Sequence, residues 1–129
     1  MKFGAKEQVL LAIYIEYQKD LPKMNNVNNT VLNMDVDVFN VALEKLKNEE
    51  YIKDVCFISA DNNRFYAVDV SQMKLTKSGI DFVENCFGIR KETTAEDKIK
   101  YIIKKCGVLG YKALKDFAAV ALGALTSII

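Results

Sequence analysis

The chain has 129 residues, of which half are hydrophobic and 27% are charged, with a formal net charge of +1 and no histidine. That length fits one domain of roughly 100–150 residues, and that composition is typical of a globular protein. The absence of histidine excludes catalytic sites with an imidazole base and zinc sites of the HExxH type. The sequence therefore predicts a protein that is not an enzyme, with no metal site and no cofactor.

The charge is unevenly distributed along the chain. Residues 1–89 contain 10 Lys/Arg and 13 Asp/Glu, net −3, whereas residues 90–129 contain 8 and 4, net +4. An anionic partner is therefore expected to meet the C-terminal part first. The three cysteines are widely spaced and form no CxxC motif, which predicts free thiols. The N-terminal segment lacks the apolar region of a signal peptide, which predicts a cytoplasmic protein.

A first helix is predicted over residues 5–19. Its apolar residues recur at i, i+3, i+4 and i+7, the spacing of one buried face: Leu10, Ile13, Tyr14 and Tyr17. Charged residues such as Glu16 lie largely outside that face. Pro22 ends the helix, because the residue before a proline disfavours the helical conformation. The asparagine-rich segment 25–30 predicts a loop, and residues 31–34 predict a short buried piece, either one helical turn or an edge strand.

A second helix is predicted over residues 36–50. Asp35 is its expected N-cap, because a carboxylate can accept hydrogen bonds from the free N–H groups of the first turn. The expected buried face consists of Phe39, Ala42, Leu43 and Leu46. The opposite face is more polar and consists of Asp37, Asn40, Val41, Glu44, Lys45, Lys47 and Asn48.

A β-hairpin follows, with strands predicted over residues 52–60 and 65–70, because both segments are rich in β-branched and aromatic residues. The polar turn between them occupies residues 61–64. A third helix is predicted from Thr76, as its N-cap, to about Cys86, with Gly88 ending it. The order helix, short element, helix, strand, turn, strand, helix predicts an α+β fold, a winged helix-turn-helix domain over residues 1–89.

Three segments of this domain form a familiar series. They are IYIEY at residues 13–17, FNVALEKLKNEEYI at residues 39–52 and LTKSG at residues 75–79. Their order and spacing resemble the YjcQ-like family of small winged-helix proteins found in Gram-positive bacteria and their prophages. The resemblance implies the fold and no catalytic residues. It implies a function much less than a fold, since winged-helix domains usually bind DNA, although some bind only protein.

The candidate contacts with double-stranded DNA are residues that can reach phosphates or base edges: Asn40, Lys45, Lys47, Asn62 and Arg64. The prediction is a transcriptional regulator of prophage or mobile-element type. Asp37 and Glu44 oppose it, because they would present the wrong sign of charge to phosphates. The alternative is a non-catalytic protein-interaction module without DNA affinity, which the net charge of −3 over residues 1–89 and the apolar C-terminal segment favour.

Residues 90–129 are predicted to form a separate helical extension, with Thr93 or Thr94 as the helix cap and a break near residues 107–110, where two glycines occur. Lys98 and five further lysines are expected on a solvated side. Residues 117–129 contain no charged side chain. At 1.5 Å per residue these 13 positions span about 20 Å, less than the ~30 Å hydrocarbon core of a bilayer. The sequence therefore predicts no transmembrane span.

Three arrangements of this extension remain open. It can pack against the winged helix or pair with its copy in a homodimer, lie on a membrane surface, or dock on a different protein. Small residues in the segment, among them Ala118 and Gly123, permit close approach of another helix and so favour pairing over lipid. The candidate dimer or partner interface consists of Leu109, Leu114, Phe117, Val120, Ala121 and Leu125. A dimer would place two recognition helices in successive major grooves.

Overall fold

The computed structural model describes residues 3–59 and 65–126. Within these ranges the fold is α+β, with five α-helices, one 3-10 helix and two antiparallel strand pairs. The helices are α1 (Ala5–Tyr17), α2 (Val36–Asn48), α3 (Lys77–Phe87), α4 (Ala95–Leu109) and α5 (Lys112–Thr126), and the strands are β1 (Ile52–Lys53), β2 (Cys56–Ser59), β3 (Phe65–Asp69) and β4 (Lys74–Leu75). None of these helices is both long and apolar enough to cross a membrane.

The predicted helix boundaries from α2 onwards are confirmed within a few residues. Side-chain oxygens of Asp35, Thr76 and Thr94 accept backbone N–H groups of the first turns of α2, α3 and α4 at 2.8, 3.1 and 3.1 Å. Gly88 and Gly110 follow α3 and α4 with φ of 68° and 82°, the left-handed conformation that glycine adopts without strain. These local signals position the ends of the helices.

Helix α1 is buried on every side, which corrects the prediction of a single apolar face. All residues from Val9 to Glu16 are at most 1% exposed. A helix that is apolar all round is typical of a core position. Here α2 and α3 pack against α1, and α5 packs against it as well. Tyr17, which was expected on the buried face, is 43% exposed.

Glu16 lies outside the predicted apolar face and nevertheless has no exposed surface. Its Oε2 accepts the backbone N–H of Lys23 at 2.9 Å and the side-chain amide of Asn26 at 3.1 Å. Lys19 Nζ lies 3.1 Å from its other oxygen. The buried carboxylate therefore ties the chain after α1 to the helix, because these donors replace the water it loses.

The segment between α1 and α2 contains a 3-10 helix, Met24–Asn26, followed by hydrogen-bonded turns over residues 29–33. Leu32, 5% exposed, and Met34 contact the core, as expected of a short buried piece. The piece is a turn rather than an edge strand, because its N–H groups bond to carbonyls three to five residues earlier.

The first predicted strand of the hairpin is interrupted. Asp54 has a φ of 62°, outside the extended region, and separates β1 from β2. β1 pairs with β4, a strand that the sequence analysis missed, and β2 pairs with β3 with a register shift after Ile58. Ile52 and Leu75 bury the first pair in the core at 2% and 7% exposure, and the second pair extends the hairpin beyond it.

Helices α4 and α5 belong to the same core as the rest of the chain. They pack against each other, and α5 packs against α1. The break predicted near residues 107–110 is confirmed at Gly110. Their buried residues join one hydrophobic cluster with those of α1–α3: Ile99, Ile102, Cys106, Leu114, Ala118 and Ala121. The C-terminal helices therefore pack against the rest of the chain, which is one of the arrangements that the sequence leaves open.

Candidate nucleic-acid interface

The exposed face of α2 has acidic and apolar residues at its centre and lysines on its two edges. At 3.6 residues per turn, Lys45 and Lys47 lie about 200° apart around the helix. Lys45 lines a groove beside the start of α1. Lys47 lies on the opposite edge, where its Nζ is 5.4 Å from the centre of the Phe57 ring on β2. Both lysines are exposed.

The centre of the face consists of Asp37, Val41, Glu44 and Asn48. Asp37, Glu44 and Asn48 are exposed and Val41 is half-buried. Two carboxylates therefore lie between the two lysine edges, so the face carries both signs of charge. The start of the helix is also apolar, because Val36 and Val38 are 49% and 44% exposed.

Two further lysines lie on the β1–β4 pair, which contacts α2 through β1. The sequence pattern did not indicate them as contact residues. Lys53 on β1 and Lys74 on β4 are exposed and lie directly opposite each other in the ladder. Their signal in the sequence is alternation, since each adjoins a buried residue, Ile52 or Leu75. Lys47 and Lys74 line one depression, together with the acidic side chains of Asp54 and Asp69.

None of these four lysines forms an ion pair with a carboxylate in the described part of the chain, where the ion pairs join other basic residues. By contrast, Lys77 and Lys112 pair with Asp81 and Asp116 one helical turn away. These four lysines therefore form no ion pair with a carboxylate of the described residues, so their charges are available to bind an anion.

Asn40 is a correction to the predicted contact residues. It is only 8% exposed, because it lies three residues before Leu43 on the border of the buried stripe of α2. Asn62 and Arg64 lie outside the described residues. Of the five predicted contacts, the structure thus brings Lys45 and Lys47 to one exposed helix face.

The predicted dimer residues divide into two groups. Leu114 and Ala121 are each 1% exposed and already covered within the chain, which corrects their assignment to an interface. Leu109, Phe117 and Leu125 are half-buried. Val120 is 72% exposed and remains available to a partner. On this helix Ala118, rather than Val120, faces the core.

A buried carboxylate with a shifted pKa lies away from α2, in the interior. Glu84 on α3 is 4% exposed and accepts hydrogen bonds from Tyr14, Lys98 and Lys91 at 2.8, 2.9 and 3.1 Å. Burial alone would raise the pKa of Glu84, but the three hydrogen bonds outweigh it and hold the pKa below its ordinary value. Lys98, expected on the solvated side of α4, is instead 12% exposed beside Glu84. The cluster joins α1, α3 and α4.

Among the described residues, no group of three or more His, Cys, Asp or Glu could hold a metal ion. Comparison of the chain with protein-family models, with curated proteins and with solved structures finds no match. The resemblance to the YjcQ-like family therefore stays a prediction that depends on the three sequence segments.

Proposed function

We propose that the chain is a winged-helix DNA-binding protein, a regulator of prophage or mobile-element type, in which α2 enters the major groove. The order of elements supports this proposal: α1, a short turn segment and α2 precede a β-hairpin, as in winged helix-turn-helix domains. In that arrangement the second long helix meets base edges and the hairpin lies beside it along the duplex. The side of α2 that faces away from the core consists of exposed and half-buried residues, so it is accessible for such contact.

The observation that carries the proposal is the position of Lys45 and Lys47 on opposite edges of α2. A helix in the major groove has a phosphate backbone on each side, so one ammonium group faces each strand. Neither lysine is neutralised by a carboxylate of the described residues. Each phosphate contact releases counterions, which is the main source of affinity in such complexes.

The residues between the lysines would face the bases. A carboxylate such as Glu44 can accept a hydrogen bond from the amino group of cytosine, and an apolar side chain such as Val41 can contact the methyl group of thymine. Asn48 can pair with adenine. Asp37 and Glu44 repel phosphates, so we expect weak binding to unrelated sequences and a strong dependence on the correct one.

The test is fluorescence anisotropy of labelled duplexes with the full chain across a salt series. A pool of random-sequence duplexes followed by selection supplies the preferred site. The Lys45→Gln/Lys47→Gln variant should bind at least tenfold more weakly, and its log–log salt slope should be smaller by about 2, since each phosphate contact contributes roughly 0.9. The control is Lys77→Gln/Lys112→Gln, which removes two equally exposed charges elsewhere.

Absence of binding by the unmodified chain at low salt would overturn the proposal. Equal losses in the two double variants would overturn it as well, because general positive charge would then explain the affinity.

We further propose that two copies pair through the exposed side of α5. Val120 is 72% exposed there, and a Cβ added at Gly123 would meet no atom within 4 Å. Sedimentation equilibrium should show a dimer that Val120→Glu dissociates. Val108→Glu, at a position 79% exposed on α4, should not change the association. A monomer at all concentrations, or the same effect from both variants, would exclude this interface.

A second candidate function is a protein-interaction module, and the apolar start of α2 favours it. Val36 and Val38 are exposed valines on a helix with carboxylates near them, a surface suited to a protein partner with apolar and basic residues. This alternative predicts no salt-dependent duplex binding. It also predicts that Val38→Ser, rather than the double lysine variant, abolishes copurification with a defined protein.

A further inference from the structure

A separate groove lies on the other side of Lys53 and Lys74, away from α2. It is formed by the end of α1, the 3-10 helix and the β1–β4 pair, and its volume is about 450 Å³. Its floor is apolar, because Met24, Met73 and Leu75 are 6%, 3% and 7% exposed. Small-molecule sites typically combine such a floor with a few polar groups at the edge.

The lysine pair at the edge of this groove is unfavourable for stability by itself. Lys53 and Lys74 are directly opposite on antiparallel strands, and like charges in that position destabilise a sheet. No carboxylate of the described residues pairs with either one, and Lys74 Nζ donates only a long hydrogen bond, 3.3 Å, to the carbonyl of Gln72. A doubly charged anion between the two ammonium groups would remove the repulsion.

The groove also contains an exposed aromatic ring. Tyr17, the last residue of α1, lines it and is 43% exposed, although its neighbours in α1 are fully buried. A nucleic-acid base can stack on such a ring, and this contact accepts any base because every base has a π face. Ser71 and Gln72, which also line the groove, offer hydrogen-bonding groups between the ring and the lysines.

We propose that this groove binds a nucleoside monophosphate, with the base against Tyr17 and the methionine floor and the phosphate between Lys53 and Lys74. The same combination of base and phosphate occurs in single-stranded nucleic acid, and the experiment separates the two sources. The inference does not depend on duplex binding, because Lys45 and Lys47 do not line the groove.

The experiment is a titration of the ¹⁵N-labelled full chain, followed by amide chemical shifts, with AMP, adenosine, inorganic phosphate and a ten-residue oligothymidylate in parallel. We expect AMP to shift the amides of Tyr17, Met24, Lys53 and Lys74 in a saturable way, and to bind at least tenfold more tightly than adenosine or phosphate alone. Binding of phosphate as tight as that of AMP would overturn the role of the ring. Binding of the oligonucleotide but not of AMP would overturn the mononucleotide as the ligand.

Variants test the two halves of the site separately. Lys53→Gln and Lys74→Gln should each weaken AMP binding about tenfold, Tyr17→Ser should weaken it similarly, and Tyr17→Phe should retain it because the ring remains. Lys112→Gln, at an exposed position on α5 outside the groove, is the matched control and should leave AMP binding unchanged. These positions are exposed, and the same spectra report that each variant is folded. Unchanged affinity in the Lys74→Gln and Tyr17→Ser variants would overturn the proposal.

Discussion

At the scale of single residues, the carboxylate of Glu84 is the centre of a hydrogen-bonded cluster in the interior. It accepts three hydrogen bonds, from Tyr14 on α1, Lys98 on α4 and Lys91 in the connector between α3 and α4. Lys91 also pairs with Asp81. Because breaking a buried ion pair leaves a charge without its partner, this cluster penalises any separation of α4 from α1 and α3.

We expect Glu84→Gln to lower the free energy of unfolding by about 2–3 kcal/mol, somewhat less than the roughly 3–5 kcal/mol for removing one partner of a buried pair, because glutamine still accepts a hydrogen bond. Urea denaturation measures the change. Glu92→Gln is the control: Glu92 pairs with Arg90 at the surface, and such pairs contribute roughly 0–1 kcal/mol. Equal effects of the two substitutions would contradict this account.

Tyr14 makes stability depend on alkaline pH. Burial and then the hydrogen bond to Glu84 raise the pKa of its hydroxyl far above the ordinary value of 10.0. Above pH 10 the unfolded chain therefore releases this proton while the folded chain retains it, so the free energy of unfolding falls as pH rises. Tyr14→Phe should show a smaller loss between neutral pH and pH values above 10. An identical pH dependence in both proteins would exclude this role of Tyr14.

At the scale of elements, the start of α3 packs closely against Tyr51, the residue before β1. A Cβ atom added at Gly79 would collide with the Tyr51 carbonyl oxygen and lie 2.7 Å from Leu75 Cδ1. Thr76 Oγ1, which caps α3, also donates to the Glu50 carbonyl at 2.7 Å. The start of α3 therefore fixes where the β1–β4 pair lies, and with it Lys53 and Lys74.

Gly79→Ala should destabilise the protein by about 1–3 kcal/mol, the range for overpacking a close contact, although alanine is the better helix former. Gly107→Ala is the matched control on α4, where an added Cβ would lie no closer than 3.9 Å to the Lys115 side chain, and it should stabilise by about 0.5–1 kcal/mol. Thermal unfolding of both variants measures the difference in sign. A stabilising Gly79→Ala would show that the α3–β1 contact is looser than described.

Local sequence features predicted where the helices begin and end better than they predicted which side chains are buried. The caps at Asp35, Thr76 and Thr94 are found by sequence because the cap and the first turn are neighbours in the chain. The burial of Glu16 and Lys98 was missed because their partners come from other elements. The seven consecutive apolar residues 9–15 indicate a helix that is buried on all sides, whereas the spacing of Leu10, Ile13, Tyr14 and Tyr17 alone indicates a single buried face.

The candidate site was predictable only in part, for a related reason. Lys45 and Lys47 are exposed because α2 has a strong apolar stripe, whereas Asn40 lies on the border of that stripe, where spacing alone does not decide burial. The alignment of Lys53 with Lys74 depends on the pairing of two strands of two residues each. Such short strands carry too little alternation for a pattern to predict their register.

At the scale of the whole molecule, α5 completes the core instead of standing apart from it. Leu114, at 1% exposure, lies in the same hydrophobic cluster as the residues of α1. The stability of α1–α3 and that of the C-terminal helices are therefore expected to be coupled, with one cooperative unfolding transition.

Leu114→Ala should lower the free energy of unfolding by about 2–5 kcal/mol, as for other buried leucines, and should shift the transitions seen by probes in α2 and in α5 together. Val108→Ala, at a position 79% exposed on α4 and outside the proposed dimer interface, should change stability by no more than about 0.5 kcal/mol. Amide hydrogen exchange of both regions checks the coupling. Loss of protection confined to α4 and α5 would indicate two independent units.

The contact between Phe3 and Tyr111 also bears on how the protein is made. The Tyr111 hydroxyl accepts the Phe3 N–H at 2.6 Å across 108 positions of sequence, and the two rings stack at 6.0 Å. Tyr111 directly precedes α5, which packs against α1. At a synthesis rate of roughly 5–20 residues per second, α1 is therefore made several seconds before α5. Over that interval its apolar surface is a target for ribosome-associated chaperones, so the nascent chain is expected to depend on them more than the finished fold does.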